Sequence, residues 1–275
     1  MAYGTHTVID SLNLHIKEGQ LVVLIGPSGC GKTTTLQLIN RLIMPTRGEI
    51  IVNGQNIQTV DPVELRRKIG YVIQEIGLFP HMTIKQNIEI VPKLLGWDVE
   101  KRSARTAELI QLVNMDERHL MRYPSELSGG QQQRIGLLRA LAAEPPIILM
   151  DEPFGALDPI TREALQDEIV SLQKRLKKTI VFVTHDMDEA IKIADRIVLM
   201  KDGKIVQAAA PEELLSNPAN EFVEQFIGRH RLYNDTADTA AAAHPVVDEA
   251  NAVQEAVMRS GIAGCFADMV WGNQP

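Results

Sequence analysis

An apolar run, Leu21 to Ile25, stops at Gly26-Pro27-Ser28-Gly29-Cys30-Gly31-Lys32-Thr33, after which Lys32 to Ile43 reads as a helix. Strand, glycine-rich turn and helix, in that order, is a narrow specification for a chain. The eight residues match G-x-x-x-x-G-K-[S/T], a pattern that average composition places in a chain of this size on the order of one time in a hundred. The glycines let consecutive backbone N–H groups turn inward onto phosphate oxygens, and the following helix aims its positive end at the same anion. In such a loop Lys32 reaches the β and γ phosphates of a nucleotide, and the Thr33 hydroxyl holds Mg²⁺.

The rest of the chain repeats the alternation. Short apolar β-type runs at Ile69 to Gln74, Ile147 to Met150, Thr179 to Thr184 and Arg196 to Met200 are separated by helical stretches, which predicts an α/β fold with a mostly parallel sheet. Between Asp158 and Lys178, Leu165, Ile169, Leu172 and Leu176 recur at helical spacing and form one buried stripe. From about His81 to Ala140 the β signal disappears. Thr83 to Leu95, Val99 to Met115 and Gly130 to Ala143 read as helices there, an inserted helical subdomain of about residues 81–140. Gly203 marks a turn between Lys201 and Ile205, which predicts an antiparallel β edge, and two short helices follow at Pro211 to Leu215 and Asn220 to Ile227. The ordered domain is expected to span 1–232.

Charge supports that boundary. The chain carries a formal −7, and residues 233–275 hold six carboxylates against Arg259 alone, a balance of −5, so the domain proper is nearly neutral. A nucleic-acid footprint would need clustered Lys and Arg, and none is evident. No run approaches the roughly 18 to 20 apolar residues of a spanning helix, and Met1 to Gly4 shows no basic-then-apolar export signal, so a cytoplasmic protein is expected. Cys30 lies within the phosphate loop and Cys265 near the end, and neither is given a disulfide or redox role.

Ile147 to Met150 delivers two adjacent carboxylates, Asp151 and Glu152, at the C-terminal end of a strand, where ligands of open α/β sheets bind. Asp151 suits the holding of Mg²⁺ through its surroundings, and Glu152 the polarising of an attacking water. Leu127-Ser128-Gly129-Gly130-Gln131 makes the reading specific. With it the chain resembles the ABC ATPase family, whose signature is LSGGQ, over about residues 1–232.

The resemblance implies a phosphate-loop NTPase core with an inserted helical subdomain and a homodimer that closes head to tail on two ATP molecules. It implies that Ser128, Gly129 and Gly130 cap the γ-phosphate held by the opposite subunit, and that Gly26, Pro27, Ser28, Gly29, Cys30, Gly31, Lys32, Thr33 and Thr34 bind ATP. Gln74 matches the glutamine that touches Mg²⁺, and His185 the histidine facing the γ-phosphate and attacking water. Asp158 matches the residue that crosses the dimer interface. Tyr3 matches the aromatic that stacks on adenine, although family members have more residues before it and complete a first edge strand there. The catalytic set implied is Glu152, His185 and Lys32.

Within the family, Arg66 to Ile90, Val91 to Trp97 and Phe226 to Leu232 look most like importers of osmoprotectant quaternary amines such as glycine betaine, carnitine and choline. That resemblance implies membrane permease subunits and a substrate-binding protein as partners, a place on the inner face of the membrane, and no nucleic acid. It also implies that Glu75 to Met82 forms a cleft for a helix of the membrane subunit. Close relatives carry a paired CBS module after this point; Pro245 to Gly261 resembles the start of one CBS unit, and the acidic tail 233–275 is read as such a fragment or as disordered. The alternative is a soluble ABC ATPase acting on nucleic acid or in iron–sulfur assembly. Against it, no long coiled coil separates phosphate loop and signature, and the chain holds one cassette. A regulator that binds without hydrolysing is disfavoured by Glu152 and His185.

Overall fold

The computed structural model describes residues 1–3, 6–74, 77–113, 115–155 and 157–228. The expected tail at 233–275 and its CBS-like stretch, with Cys265, lie outside the described residues.

The chain order is β1 (Ala2–Tyr3), β2 (His6–Thr7), β3 (Leu21–Ile25), α1 (Lys32–Ile39), β4 (Ile51–Val52), β5 (Gln55–Asn56), α2 (Pro62–Arg67) and β6 (Ile69–Val72). Then come α3 (Ile84–Leu94), α4 (Val99–Leu112), two short 3₁₀ turns and α5 (Gly129–Leu141). The chain returns to the sheet with β7 (Ile147–Asp151), α6 (Pro159–Leu176), β8 (Thr179–Val183), α7 (Met187–Ile193), β9 (Arg196–Lys201), β10 (Lys204–Ala209) and α8 (Pro211–Ser216). Residues 221–228 are helical as well.

Six strands form one sheet in the order β10-β9-β3-β8-β7-β6, with every pairing parallel except the β9–β10 hairpin at the edge. Because both faces of a parallel sheet are covered, its strands are apolar without a break. The period of two then sorts each strand between two cores. Leu21, Val23 and Ile25 join Ile148, Met150, Ile180 and Phe182 on one face, and Val22 and Leu24 join Leu149, Val181, Val183 and Val198 on the other. The helices α3, α4 and α5 occupy the stretch between β6 and β7, where the described residues form no strand.

Among the expected ends that moved are those of α1 and β6. The first helix stops at Ile39 instead of Ile43, because Asn40 caps it and Arg41 turns into the left-handed region at φ 49°. Arg41 then sends its guanidinium to the Val60 and Gln58 carbonyls, tying the α1 end to the segment before α2. The strand expected from Ile69 to Gln74 ends at Val72, since Ile73 and Gln74 leave the sheet and are exposed. Two small antiparallel pairs, β1–β2 and β4–β5, were not expected as such. Each strand in them has two residues, too few for a period to register.

Candidate functional site

The site lies where β3, β7 and β8 end. Gly26 leaves β3 at φ 150°, and a Cβ there would sit 2.1 Å from the Met200 carbonyl oxygen, so the turn into the loop demands glycine. Gly31 stands at φ 104° as the N-cap of α1, where an added Cβ would meet Ile9 Cγ1 at 3.0 Å. Pro27, Ser28 and Gly29 are exposed at the mouth of the loop, while Cys30 and Lys32 are buried beneath it. Burial pushes the Cys30 thiol above its ordinary range, which favours its neutral form.

Lys32 donates from Nζ to the Gly26 carbonyl at 2.6 Å and to the Pro27 carbonyl at 3.1 Å. A buried ammonium held by loop carbonyls braces the loop from inside and presents a positive charge toward its hollow. Thr33 and Thr34 follow in the first turn of α1, Thr33 exposed and Thr34 half-buried.

The parallel register brings the carboxylates to this loop. The Thr33 hydroxyl is 3.0 Å from Asp151 Oδ1, a bond across 118 positions of chain. Asp151 pairs in register with Val183 at the end of β8, and Glu152 follows with its N–H bonded to the Val183 carbonyl at 3.0 Å. Glu152 adopts φ 42°, an uncommon conformation for a side-chain-bearing residue that turns its carboxylate off the strand direction. His185, two residues beyond Val183, places Nδ1 3.2 Å from Glu152 Oε2. Gln74 lies just past the end of β6, whose Val72 is in register with Met150, so it shares the sheet edge that carries Asp151.

Burial pushes the Asp151 carboxyl above its ordinary range, and Glu152 nearby adds to the shift while Thr33 and Lys32 oppose it. The exposed Thr33 hydroxyl and the Asp151 carboxylate are hard oxygen donors, and they fit Mg²⁺ bound mainly through phosphates and water. The residues present therefore suit that ion.

Other expected residues sit apart. Ser128 is the exposed N-cap of α5, in a capping box: its hydroxyl accepts from Gln131 N at 3.4 Å, and the Gln131 side chain accepts from Ser128 N at 3.0 Å. Among the described residues no hydrogen bond or ion pair joins Ser128, Gly129 or Gly130 to the phosphate loop. Gly130 instead abuts the first turn of α6, where a Cβ would stand 2.6 Å from Thr161 Cγ2. Asp158 is the N-cap of that helix and accepts from Thr161 N at 3.0 Å. The glycine-rich start of α5 and the Asp158 cap of α6 are thus neighbours. Tyr3 lies in β1, and its side chain is outside the description.

Sequence reading missed the buried polar residues beneath the site. Thr184, Gln166 and Glu189 are each nearly inaccessible. The available signal was Glu189 standing among Met187, Ala190 and Ile193 at the start of a short apolar helix.

Fold and site together define a phosphate-loop nucleotide-binding protein in which a helical insertion carries a second glycine-rich helix start. Residues 9–155 match the ABC transporter family, and the chain belongs to that family. It is 66% identical to the glycine betaine/carnitine/choline transport ATP-binding protein OpuCA of Bacillus subtilis, over 86% of this chain and 62% of that protein. It is 58% identical to the osmoprotectant import ATP-binding protein OsmV of Salmonella typhimurium, over 81% of this chain and 59% of that protein. The chain thus spans about three fifths of the length of these relatives. A dimeric ATP-binding cassette in a post-hydrolysis state bound to ADP and Pi superposes with a TM-score of 0.67 at 39% identity, covering 74% of this chain and 90% of that one. No helix among the described residues is long and apolar enough to cross a membrane.

Proposed function

We propose that the chain binds and hydrolyses ATP as the nucleotide-handling subunit of an importer for an osmoprotectant quaternary amine, of the glycine betaine, carnitine or choline class. The observation that carries the importer reading is the 66% identity to a glycine betaine/carnitine/choline transport ATP-binding protein. The hydrolytic reading rests on Lys32, Thr33, Asp151, Glu152 and His185 gathering at the C-terminal ends of β3, β7 and β8.

The phosphate loop N–H groups and Lys32 hold the β and γ phosphates. Thr33, Asp151 and Gln74 are the residues that would hold Mg²⁺, which when bound neutralises phosphate charge. Glu152, turned off β7, polarises a water for in-line attack on the γ-phosphorus, and His185 steadies that carboxylate from its other side. Ser128 and Gly129, exposed, and Gly130, half-buried, none of them bonded to the chain's own loop, serve the nucleotide of a second copy, with Asp158 beside them. Two copies then enclose two nucleotides about a two-fold axis. Membrane permease subunits and a substrate-binding protein complete the importer at the inner face of the membrane. Tyr3 stacks on adenine.

The test is Mg²⁺-dependent ATP hydrolysis by the purified chain and by Glu152→Gln, with particle size recorded with and without ATP. Turnover by the parent, together with an inactive variant that dimerises on ATP, supports the composite site. Absence of ATP binding overturns it. ATP-dependent uptake of glycine betaine by vesicles holding the chain with permease subunits and binding protein tests the substrate class.

A further inference from the structure

His185 has a side chain that is 67% exposed, yet its Nδ1 meets Glu152 at 3.2 Å. An exposed side chain holds such a geometry only if its backbone is fixed from below. Directly beneath, Thr184 is 2% exposed, and its hydroxyl accepts from the Asp186 N–H at 3.0 Å. The same hydroxyl lies near enough to the Glu189 carboxyl, which is 6% exposed on α7, to favour its ionised form. Glu189 Oε1 accepts from Gln166 Nε2 of α6 at 3.1 Å, and Gln166 is itself buried. The Glu189 N–H donates to Asp186 Oδ1 at 3.2 Å, so the loop through His185 is closed at both ends.

The second helix in this arrangement starts at the dimer-facing turn. One residue turn before Gln166, Arg162 donates to the Leu157 carbonyl at 3.1 Å and stands 3.8 Å from Asp186 Oδ2. The α6 helix therefore touches the Leu157–Asp158 turn and the His185 loop through adjacent turns. A buried ionisable group costs stability unless it is satisfied. Its presence beneath a solvent-facing loop calls for a role other than packing.

We propose that Glu189, held by Gln166 and Thr184, is a positioning residue that fixes His185 against Glu152 and ties that geometry to α6. It touches neither nucleotide nor water. The inference rests on the hydrolytic reading above and adds a residue to it.

The experiment is a double-mutant cycle read by steady-state ATP hydrolysis: parent, Glu189→Ala, His185→Ala and the pair, with Glu189→Gln and Thr184→Val beside them. Glu189→Ala is expected to lower kcat about tenfold while KM for ATP stays within about twofold. Glu189→Gln, which can accept from Gln166 and donate to Thr184, should keep kcat within about twofold. Thr184→Val, close to isosteric, should lower kcat about threefold and covers the case in which the alanine variant does not fold. In the His185→Ala background, Glu189→Ala should cost no more than about twofold further. An equal loss in both backgrounds, or full kcat in Glu189→Ala and Thr184→Val, overturns the proposal. A parent that fails to hydrolyse ATP, or that matches His185→Ala, overturns instead the hydrolytic reading beneath it.

Discussion

Glu152 Oε2 and His185 Nδ1 lie 3.2 Å apart although their side chains leave different strands, β7 and β8. The contact exists because Asp151 and Val183 are in register and Glu152 turns back at φ 42°. The pair orients a carboxylate that is only partly shielded from solvent. Replacing His185 by Ala leaves the phosphate loop and its Lys32 bonds untouched. It is therefore expected to lower kcat by about 10²-fold, with nucleotide binding measured by titration changed by less than about threefold.

Glu189 gives a pH dependence of stability with a definite sign. Burial pushes its carboxyl above the ordinary glutamate range, with Thr184 and Gln166 only partly opposing the shift. The folded chain then binds this proton more readily than the unfolded chain. Stability from this group is highest below the unfolded value and falls as pH rises through the folded value. Glu189→Gln carries no charge to desolvate. Its melting temperature should exceed the parent's at pH 8, and the difference should shrink as the pH is lowered toward 4.

Much of this was readable in advance, for identifiable reasons. Strands buried on both faces appear as unbroken apolar runs, so β3, β7, β8 and β9 were placed to within a residue or two. Lys32, Thr33, Asp151, Glu152 and His185 each follow such a strand or open a helix, and strand order did the rest. The phosphate-loop turn was legible because glycine is obligatory at Gly26 and Gly31. What stayed hidden depends on long-range geometry. Gly130 touching Thr161, and Gln166 bonding Glu189, join positions 31 and 23 apart on separate helices, and no local period encodes either. The turn at Glu152 was hidden as well, because a positive φ at glutamate has no compositional mark.

Of the expected cleft Glu75 to Met82, Glu75 and Ile76 lie outside the described residues, and Leu78 and Phe79 part into a packed and an offered side chain. Leu78 packs against the main core, whereas Phe79 is 39% exposed, with the Arg139 guanidinium 5.9 Å from its ring centroid. The loop behind it is held by the buried Asn87 side chain, which accepts from Phe79 N at 2.8 Å and donates to the Phe79 and Met82 carbonyls at 3.1 Å. On the proposed function, this preformed loop and its one aromatic are where a permease helix would dock. Phe79→Asp should retain ATP hydrolysis within about twofold in the isolated chain and lose ATP-driven uptake in the assembled importer. Leu78→Asp would set a charge against the core and should lower the melting temperature as well.

Gly130 tests whether the signature is also a packing point. It lies in the first turn of α5, where alanine would raise helix propensity by about 1 kcal/mol. A Cβ there nevertheless meets Thr161 Cγ2 at 2.6 Å, well inside ordinary contact. The neighbour is a β-branched side chain in the first turn of α6, next to the Asp158 cap, and has little freedom to rotate away. The clash should therefore outweigh the propensity gain, leaving Gly130→Ala less stable by about 1–2 kcal/mol in chemical denaturation. Thr161→Ser removes the offending methyl. Added to Gly130→Ala, it should recover most of the loss, while alone it should cost less than about 0.5 kcal/mol. If Gly130→Ala is as stable as the parent, the two helix starts can move apart, and the signature is not locked to the turn that carries Asp158. If the double variant recovers stability but not ATP-driven dimerisation, the bare N–H surface at Gly130 is needed for the second copy's nucleotide independently of packing.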